Sequence, residues 1–341
     1  MNFASDNAAG AHPTIMAALQ EEAAKSGMPY GGDETTQGLE TDLSRCFGRE
    51  VWSFPVTTGS AANALALAVV TPPYGAVYCH QDSHINVDEC GAPEFFTHGA
   101  KLICLPGDAG KLTPETLSLA LARQRRGTVH AVQPAVVSLT QASEWGTVYT
   151  PEEVRALATL AHAHGLRVHM DGARFANAVA ALGVSPAALT WEAGVDMLSF
   201  GATKNGALAA EAVIFFDSAL VRDFAFRRKR SGQLLSKLRF ISAQLRAYLQ
   251  DDLWLTLAAH ANLMAARLAT GLARLPGVTL ACPVEINEVF VHLPSPLVTR
   301  LRQAGFVFYD WPGDPLPFVR LVTAFNTPEA SVDHFIEVAA R

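Results

Sequence analysis

From about residue 50 to 217, short apolar runs alternate with longer stretches of helical periodicity, and this alternation constrains the fold more than any other feature of the chain. The apolar runs are Ala76–Cys79, Leu102–Leu105, Ala135–Leu139, Arg167–Met170, Met197–Phe200 and Val213–Phe216. Each reads as a strand. Between them, Pro114–Arg123 and Pro151–His164 read as helices. Pro151 suits a first helical turn, and Glu152 and Glu153 then sit near the positive end of the helix dipole. The alternation predicts an α/β fold, a sheet with helices on both faces.

The pattern changes near residue 218. From Ser218 to about Leu275 the chain is helical in character, rich in Ala, Leu, Arg and Gln. After Val278 it has shorter strand-like pieces, Val289–Leu293 and Phe318–Val322, and a final amphipathic helix starting near Thr327. Residues 11–245 are therefore expected to form a large domain and 246–341 a smaller α+β one, with 1–10 packing against the smaller. There is no internal repeat or low-complexity tract.

Half of the 341 residues are hydrophobic and 17% are charged, which gives enough apolar side chain for a sizeable core and excludes disorder as the main state. The net charge is −6, and the one basic block is Arg227–Arg230, so a nucleic-acid surface is not expected. No apolar run is long enough for a membrane helix, and the first residues read as no secretory signal. Five cysteines, an odd and widely spaced set with no CxxC pair, read as reduced thiols of a cytoplasmic protein.

Three segments carry candidate chemistry. In Met197-Leu-Ser-Phe-Gly-Ala-Thr-Lys204-Asn-Gly, a strand ends in small residues and presents one lysine. Small neighbours let a ligand approach the amine closely, as Schiff-base chemistry needs; the plain reading is a surface lysine after a strand. In His169-Met-Asp171-Gly-Ala-Arg174, a strand ends on an acid and then a base. Ligands of open α/β sheets lie at such strand ends, where an Asp can hold a ring nitrogen protonated and an Arg can clamp a carboxylate. The plain reading is an Asp helix cap beside a surface ion pair. In Thr57-Thr58-Gly59-Ser60-Ala-Ala-Asn63, hydroxyl residues precede an apolar helix. That is either a phosphate site at a helix N-terminus or an ordinary cap.

The three together, a phosphate cradle, then an acid, then a lysine, are the order found in enzymes of pyridoxal 5′-phosphate. With Ser5-Asp-Asn, Tyr30-Gly-Gly-Asp33, His84-Ile and Arg320, the chain resembles the threonine aldolases over nearly its whole length. The resemblance implies an aspartate-aminotransferase-like, fold-type I architecture, with a mostly parallel seven-stranded sheet in the large domain. It implies that Lys204 carries pyridoxal 5′-phosphate, that Asp171 pairs with the ring nitrogen, and that Thr58, Gly59 and Ser60 hold the phosphate. Lys237 or Arg230 is expected to reach the phosphate from this subunit or a neighbour. His84 is expected to stack on the ring and is the candidate base. Ser5, Arg174 and Arg320 are expected to bind the substrate carboxylate, with Tyr30 lining the site from a neighbouring subunit. No metal is expected.

The implied reaction is retro-aldol cleavage of L-3-hydroxy-α-amino acids, such as L-threonine, L-allo-threonine and L-phenylserine, to glycine and an aldehyde, by a homotetramer built as a dimer of dimers. The alternatives are transamination or β-elimination on the same scaffold, or a lapsed enzyme kept as a binding protein. Many members of the family carry a second histidine where this chain reads Ser138-Leu-Thr-Gln141. Gln141 is thus expected beside the cofactor, and a neutral amide takes no proton. Thr203-Lys204-Asn205 also departs from the Ser-Lys-Gly of many relatives, which points to bulkier β-hydroxy substrates. His80 and His84 have helical spacing for zinc, but Gln81 stands where that motif needs Glu. His162 and His164 read as solvated, the remaining histidines as structural, and Arg227–Arg230 as a solvated face or a subunit contact.

Overall fold

The computed structural model describes residues 1–312 and 317–341. Seven strands, β1 (Trp52–Val56), β2 (Gly75–His80), β3 (Lys101–Leu105), β4 (Gln133–Thr140), β5 (Arg167–Gly172), β6 (Met197–Gly201) and β7 (Glu211–Phe215), form one sheet in the order β1-β7-β6-β5-β4-β2-β3. Every residue of β2, β6 and β7 is buried, as expected for strands covered on both faces. One face packs on Leu39, Phe47, Phe175, Phe200 and Trp254, the other on Leu65, Leu67, Phe215 and Phe224.

Six of the seven strands were legible as apolar runs. The seventh, β1, reads Trp-Ser-Phe-Pro-Val, and Pro55 argues against a strand because it lacks an N–H. The sheet accommodates it at an edge, where β1 pairs only with β7. The helices start where the sequence placed them. Thr150 caps Pro151–Ala163 with Glu153 completing a capping box, and Thr113 caps Pro114–Ala122.

A second sheet of β8 (Thr279–Leu280), β9 (Glu288–His292), β10 (Tyr309–Asp310) and β11 (Phe318–Val322) is antiparallel, in the order β10-β11-β9-β8. Its core takes in Phe3, Leu301, Phe306 and Phe335. The helix Leu253–Leu272 belongs to both cores: Trp254 and Ala258 face the large one, Met264, Leu268 and Leu272 the small one. Among the described residues, no helix is long and apolar enough to cross a membrane.

Strand direction positions the site. β7 is antiparallel to both neighbours, and the other six strands run the same way. The carboxyl ends of β1, β2, β4, β5 and β6 therefore share one edge with the amino end of β7. Each of these ends delivers chain to a single cavity.

Candidate active site

The cavity has a volume of about 260 Å³. After β1, Thr57 is fixed by its N–H and hydroxyl, which both donate to Gln233 Oε1 (3.0 and 2.9 Å). Thr58 then caps the helix Gly59–Val70, accepting from the Ala61 N–H at 3.2 Å. Gly59 and Ser60 stand in the first turn of that helix, where an N–H has no intrahelical acceptor, and both line the cavity. A Cβ on Gly59 would meet nothing within 4 Å, so the space beside this turn is open.

One turn further, Asn63 donates from Nδ2 to Asp171 Oδ2 and to Glu89 Oε1, both at 2.8 Å. Asp171 Oδ1 accepts from the Ala173 N–H at 3.0 Å. His84 Nδ1 lies 2.8 Å from Glu89 Oε1. That hydrogen bond raises the histidine's pKa against the opposing effect of burial, and the nearby Asp171 charge adds to the rise. Asp171, Asn63, Glu89 and His84 thus form one hydrogen-bonded chain along the cavity floor.

Two glycines bring the ends of β5 and β6 together. A Cβ on Gly172 would stand 2.6 Å from the Ser199 carbonyl oxygen, and one on Gly201 would stand 2.7 Å from that of Ala173. Only glycine lets these backbones approach, and the approach sets Asp171 and Lys204 around the same space. Lys204 lines the cavity and makes no hydrogen bond among the described residues. Glu211, at the start of β7, accepts from the Thr203 N–H at 3.3 Å, and burial pushes its carboxyl up to about 7, against the pull of Thr203 and Lys204.

Toward the small sheet the wall is ionic. Arg174 Nε and Nη2 donate to the two oxygens of Asp6 (2.8 and 3.1 Å), and Nη1 lies 3.2 Å from Glu288 Oε2. Arg320 Nη1 lies 3.7 Å from Glu288 Oε1, and its guanidinium stacks 4.7 Å over Trp311. Burial works against the ionised form of Asp6, yet the Arg174 charge holds its pKa below the ordinary value. Burial raises Glu288, with both arginines opposing.

Of the residues expected from the sequence, Thr58, Gly59, Ser60, His84, Asp171, Arg174 and Lys204 line this one cavity. The others lie elsewhere. Ser5 Oγ accepts from the Asn7 N–H at 3.1 Å, and it is Asn7 that lines the cavity. Arg320 stands behind Glu288. Gln141 is fully buried and turned away, its Nε2 donating to the Tyr149 carbonyl and its Oε1 accepting from the Tyr149 N–H (2.8 and 2.9 Å). Tyr30 is half exposed on the outer surface, its ring 4.7 Å from Lys229 Nζ, and Arg230 and Lys237 are also exposed outside the cavity.

One plain reading needs correction. Arg228, within the basic run, is buried, with Nη1 donating to the Pro55 carbonyl at 3.4 Å, so Arg227–Arg230 is not uniformly a solvated face. His162 is exposed, as expected, and its ring also lies 2.9 Å from Asp196 Oδ2.

The sequence reading missed Asp6, Asn63, Glu89, Glu144, Glu211 and Glu288. A signal existed for two of them. Glu211 is a lone charge in Ala209-Ala-Glu-Ala-Val213, where a buried strand has no other use for a carboxylate. Glu144 follows the end of β4, on the edge where ligands bind.

Comparison with known proteins places these residues in context. The Beta-eliminating lyase family model matches residues 2–295. A low specificity L-threonine aldolase of Pseudomonas aeruginosa is 46% identical over 313 residues, covering 92% of this chain and 90% of that protein. One from a Pseudomonas species is 43% identical over 331 residues, covering 97% and 94%. The solved threonine aldolase of Leishmania major superposes with a TM-score of 0.93 at 29% identity, covering 99% of this chain and 98% of the other.

Proposed function

The chain belongs to the Beta-eliminating lyase family, and we propose that the cavity at the strand ends is where it acts, with the residues named above in the roles that follow. It is an aldehyde-lyase of the L-threonine aldolase type, with a fold-type I architecture. It uses pyridoxal 5′-phosphate to cleave L-3-hydroxy-α-amino acids to glycine and an aldehyde.

The donor set fits that cofactor. The open space at Gly59 and the free N–H groups of the first helical turn suit a phosphate, and Lys204 offers an amine not engaged in any hydrogen bond among the described residues. Asp171, held by Asn63 and the Ala173 N–H, offers a fixed carboxylate for a ring nitrogen. This single gathering of amine, carboxylate and anion cradle around about 260 Å³ is the observation that carries the reading. When bound, the cofactor supplies an electron sink conjugated to the substrate's amino group.

The protein's own work is to hold and to select. Asp171 keeps a proton on the ring nitrogen, and Asn63 keeps Asp171 from rotating. His84, tied to Glu89, presents one imidazole face to the cavity floor. Arg174 receives the substrate carboxylate, with Arg320 and Glu288 setting the charge behind it and Asn7 bordering the same end. Fixing that carboxylate sets Cα–Cβ as the bond that breaks, and orientation of this kind can supply several kcal/mol of barrier lowering.

Product analysis with L-threonine tests the reading. Acetaldehyde with glycine is the expected outcome. Oxobutanoate with ammonia would mark an eliminating enzyme, and a keto acid formed only with an acceptor would mark an aminotransferase. We further propose a homotetramer in the cytoplasm that accepts substrates as bulky as L-phenylserine. The exposed positions of Tyr30, Arg230 and Lys237, outside this chain's own cavity, support their meeting a neighbour's cavity. Light scattering at four times the chain mass checks the assembly.

A further inference from the structure

Glu144 is the cavity group with no assigned work. It follows Gln141, whose amide is locked to Tyr149 and cannot serve the cavity. Glu144 lines the cavity. Its Oε1 accepts from the His84 backbone N–H at 2.7 Å, which fixes the side chain. Its Oε2 is buried and has no hydrogen-bond partner among the described residues. A buried carboxylate oxygen left unpaired costs free energy unless a ligand completes it.

The charged and titratable groups facing Glu144 are Asp171, Arg174, Tyr149, Cys79 and His84, with the Thr140 hydroxyl beside it. Burial pushes the Glu144 carboxyl up to about 7; the His84 N–H and Thr140 oppose the rise and Asp171 adds to it. The two neighbouring candidates are engaged elsewhere. His84 has its Nδ1 on Glu89, and that bond favours the protonated ring. Glu211 lies at the amine end, beside Thr203 and Lys204.

We propose that Glu144, through its free Oε2, is the catalytic base that takes the proton of the substrate's β-hydroxyl. The proposal rests on the aldolase reading above. The O–H bond breaks to the carboxylate, and its electron pair becomes the second C–O bond of the aldehyde. The Cα–Cβ pair stays with the glycine half, which takes up one proton at Cα. One proton leaves the hydroxyl and one arrives at Cα, so no co-reactant is consumed.

The test uses the cofactor-loaded enzyme and the variants Glu144→Gln and Glu144→Asp. In Glu144→Gln, L-threonine cleavage falls by about 100-fold or more, the span general-base catalysis supplies. The decline of the wild-type rate as pH drops through neutrality disappears with it. Exchange of the glycine α-proton in D₂O, which needs no β-hydroxyl, continues near the wild-type rate in both variants and shows that they are folded and loaded. Glu144→Asp recovers part of the cleavage. In the cofactor-free protein, infrared difference spectra show a carboxyl titrating near neutrality that Glu144→Gln lacks.

Cleavage by Glu144→Gln at the wild-type rate with the acid limb intact overturns the proposal and leaves the aldolase reading standing. Equal loss of cleavage and glycine exchange overturns it too, since that marks a structural role. Wild-type protein that forms no aldehyde from any β-hydroxy amino acid overturns both.

Discussion

The floor of the cavity joins Asp171, Glu89 and His84 through one neutral amide, Asn63, whereas the wall toward the small sheet sets two guanidiniums, Arg174 and Arg320, against two carboxylates, Asp6 and Glu288. The floor comes from neighbouring strand ends of one sheet and the helix that follows β1. The wall comes from the N-terminal segment, the turn after β5, β9 and β11. On the proposed roles, the difference follows from what each must do. A floor that holds a ring needs charges that do not move, and hydrogen bonds from a neutral donor fix a carboxylate without competing for the ligand's charge. A wall that receives a substrate carboxylate needs a cation kept in place while the site is empty. Asp6 does this by a bidentate grip, leaving Nη1 facing Glu288 at 3.2 Å. Desolvation nearly cancels the gain of such buried pairs, so the wall contributes geometry more than stability.

The strongest way to break this comparison is at the floor. Lys204→Ala is expected to abolish turnover completely while leaving the floor able to bind the cofactor noncovalently. Borohydride reduction followed by peptide mapping should tag Lys204 in the wild type and no peptide in the variant. Residual turnover at the wild-type rate would take the amine out of its role and leave the floor without a function. A wall variant should behave differently. Asp6→Asn removes the charge that holds Arg174 and leaves a buried guanidinium short of its partner, which costs about 3–5 kcal/mol of stability. Urea denaturation at neutral pH of the cofactor-free protein measures it. The sign with pH is fixed by the lowered folded value of Asp6: its contribution is present above the ordinary carboxylate value of 3.8 and is lost as the pH falls through the folded one. A loss well under 1 kcal/mol would mean that Arg174 needs no clamp.

The same contrast explains what the sequence could disclose. The floor was legible because its parts are local patterns at strand ends: Thr58-Gly-Ser60 opening a helix, Asp171-Gly-Ala-Arg174, and Lys204 among small residues. The glycines in two of these segments are forced by the close approach of β5 and β6, so motif and geometry have one cause. The wall was half legible. Arg174 and Arg320 could be named, but their counter-charges could not: Asp6 stands in Ser5-Asp-Asn with nothing there to mark it as the arginine's partner, Glu288 lies in a segment with no local signature, and both reach the arginines only after the small sheet packs. Gln141 shows the limit from the other side. Its place after β4 suggested the cavity, yet its amide matches the Tyr149 backbone, a pairing across a turn that no periodicity encodes. Glu144, a little further along the same turn, reaches the cavity instead.

A smaller effect sharpens the comparison by separating the floor's support from the wall. His169 lies inside β5, fully buried under Asp171, with Nδ1 2.9 Å from Ser138 Oγ and Nε2 3.0 Å from Ser199 Oγ. Burial lowers its pKa from 6.5 to about 4. The folded state keeps the ring neutral while the unfolded chain takes up a proton below 6.5, so folding stability falls as the pH drops from 6.5 toward 4 and then levels. A depression of about 2.5 units at 1.36 kcal/mol each amounts to roughly 3 kcal/mol. Glu144 and Glu211, raised to about 7, act with the opposite sign in the same range, so the effect must be read as a difference between proteins. The stability of the wild type minus that of His169→Gln, from urea denaturation without cofactor, should shrink by about 3 kcal/mol between about pH 6.5 and 4. Of the wall's two carboxylates, Asp6 responds only below its ordinary value, and Glu288, raised above its own, acts with the sign of Glu144 and cancels in the same difference. A difference that stays constant across the interval would show that His169 titrates as freely as in the unfolded chain, and the floor would then rest on a polar, water-accessible strand instead of a dry one.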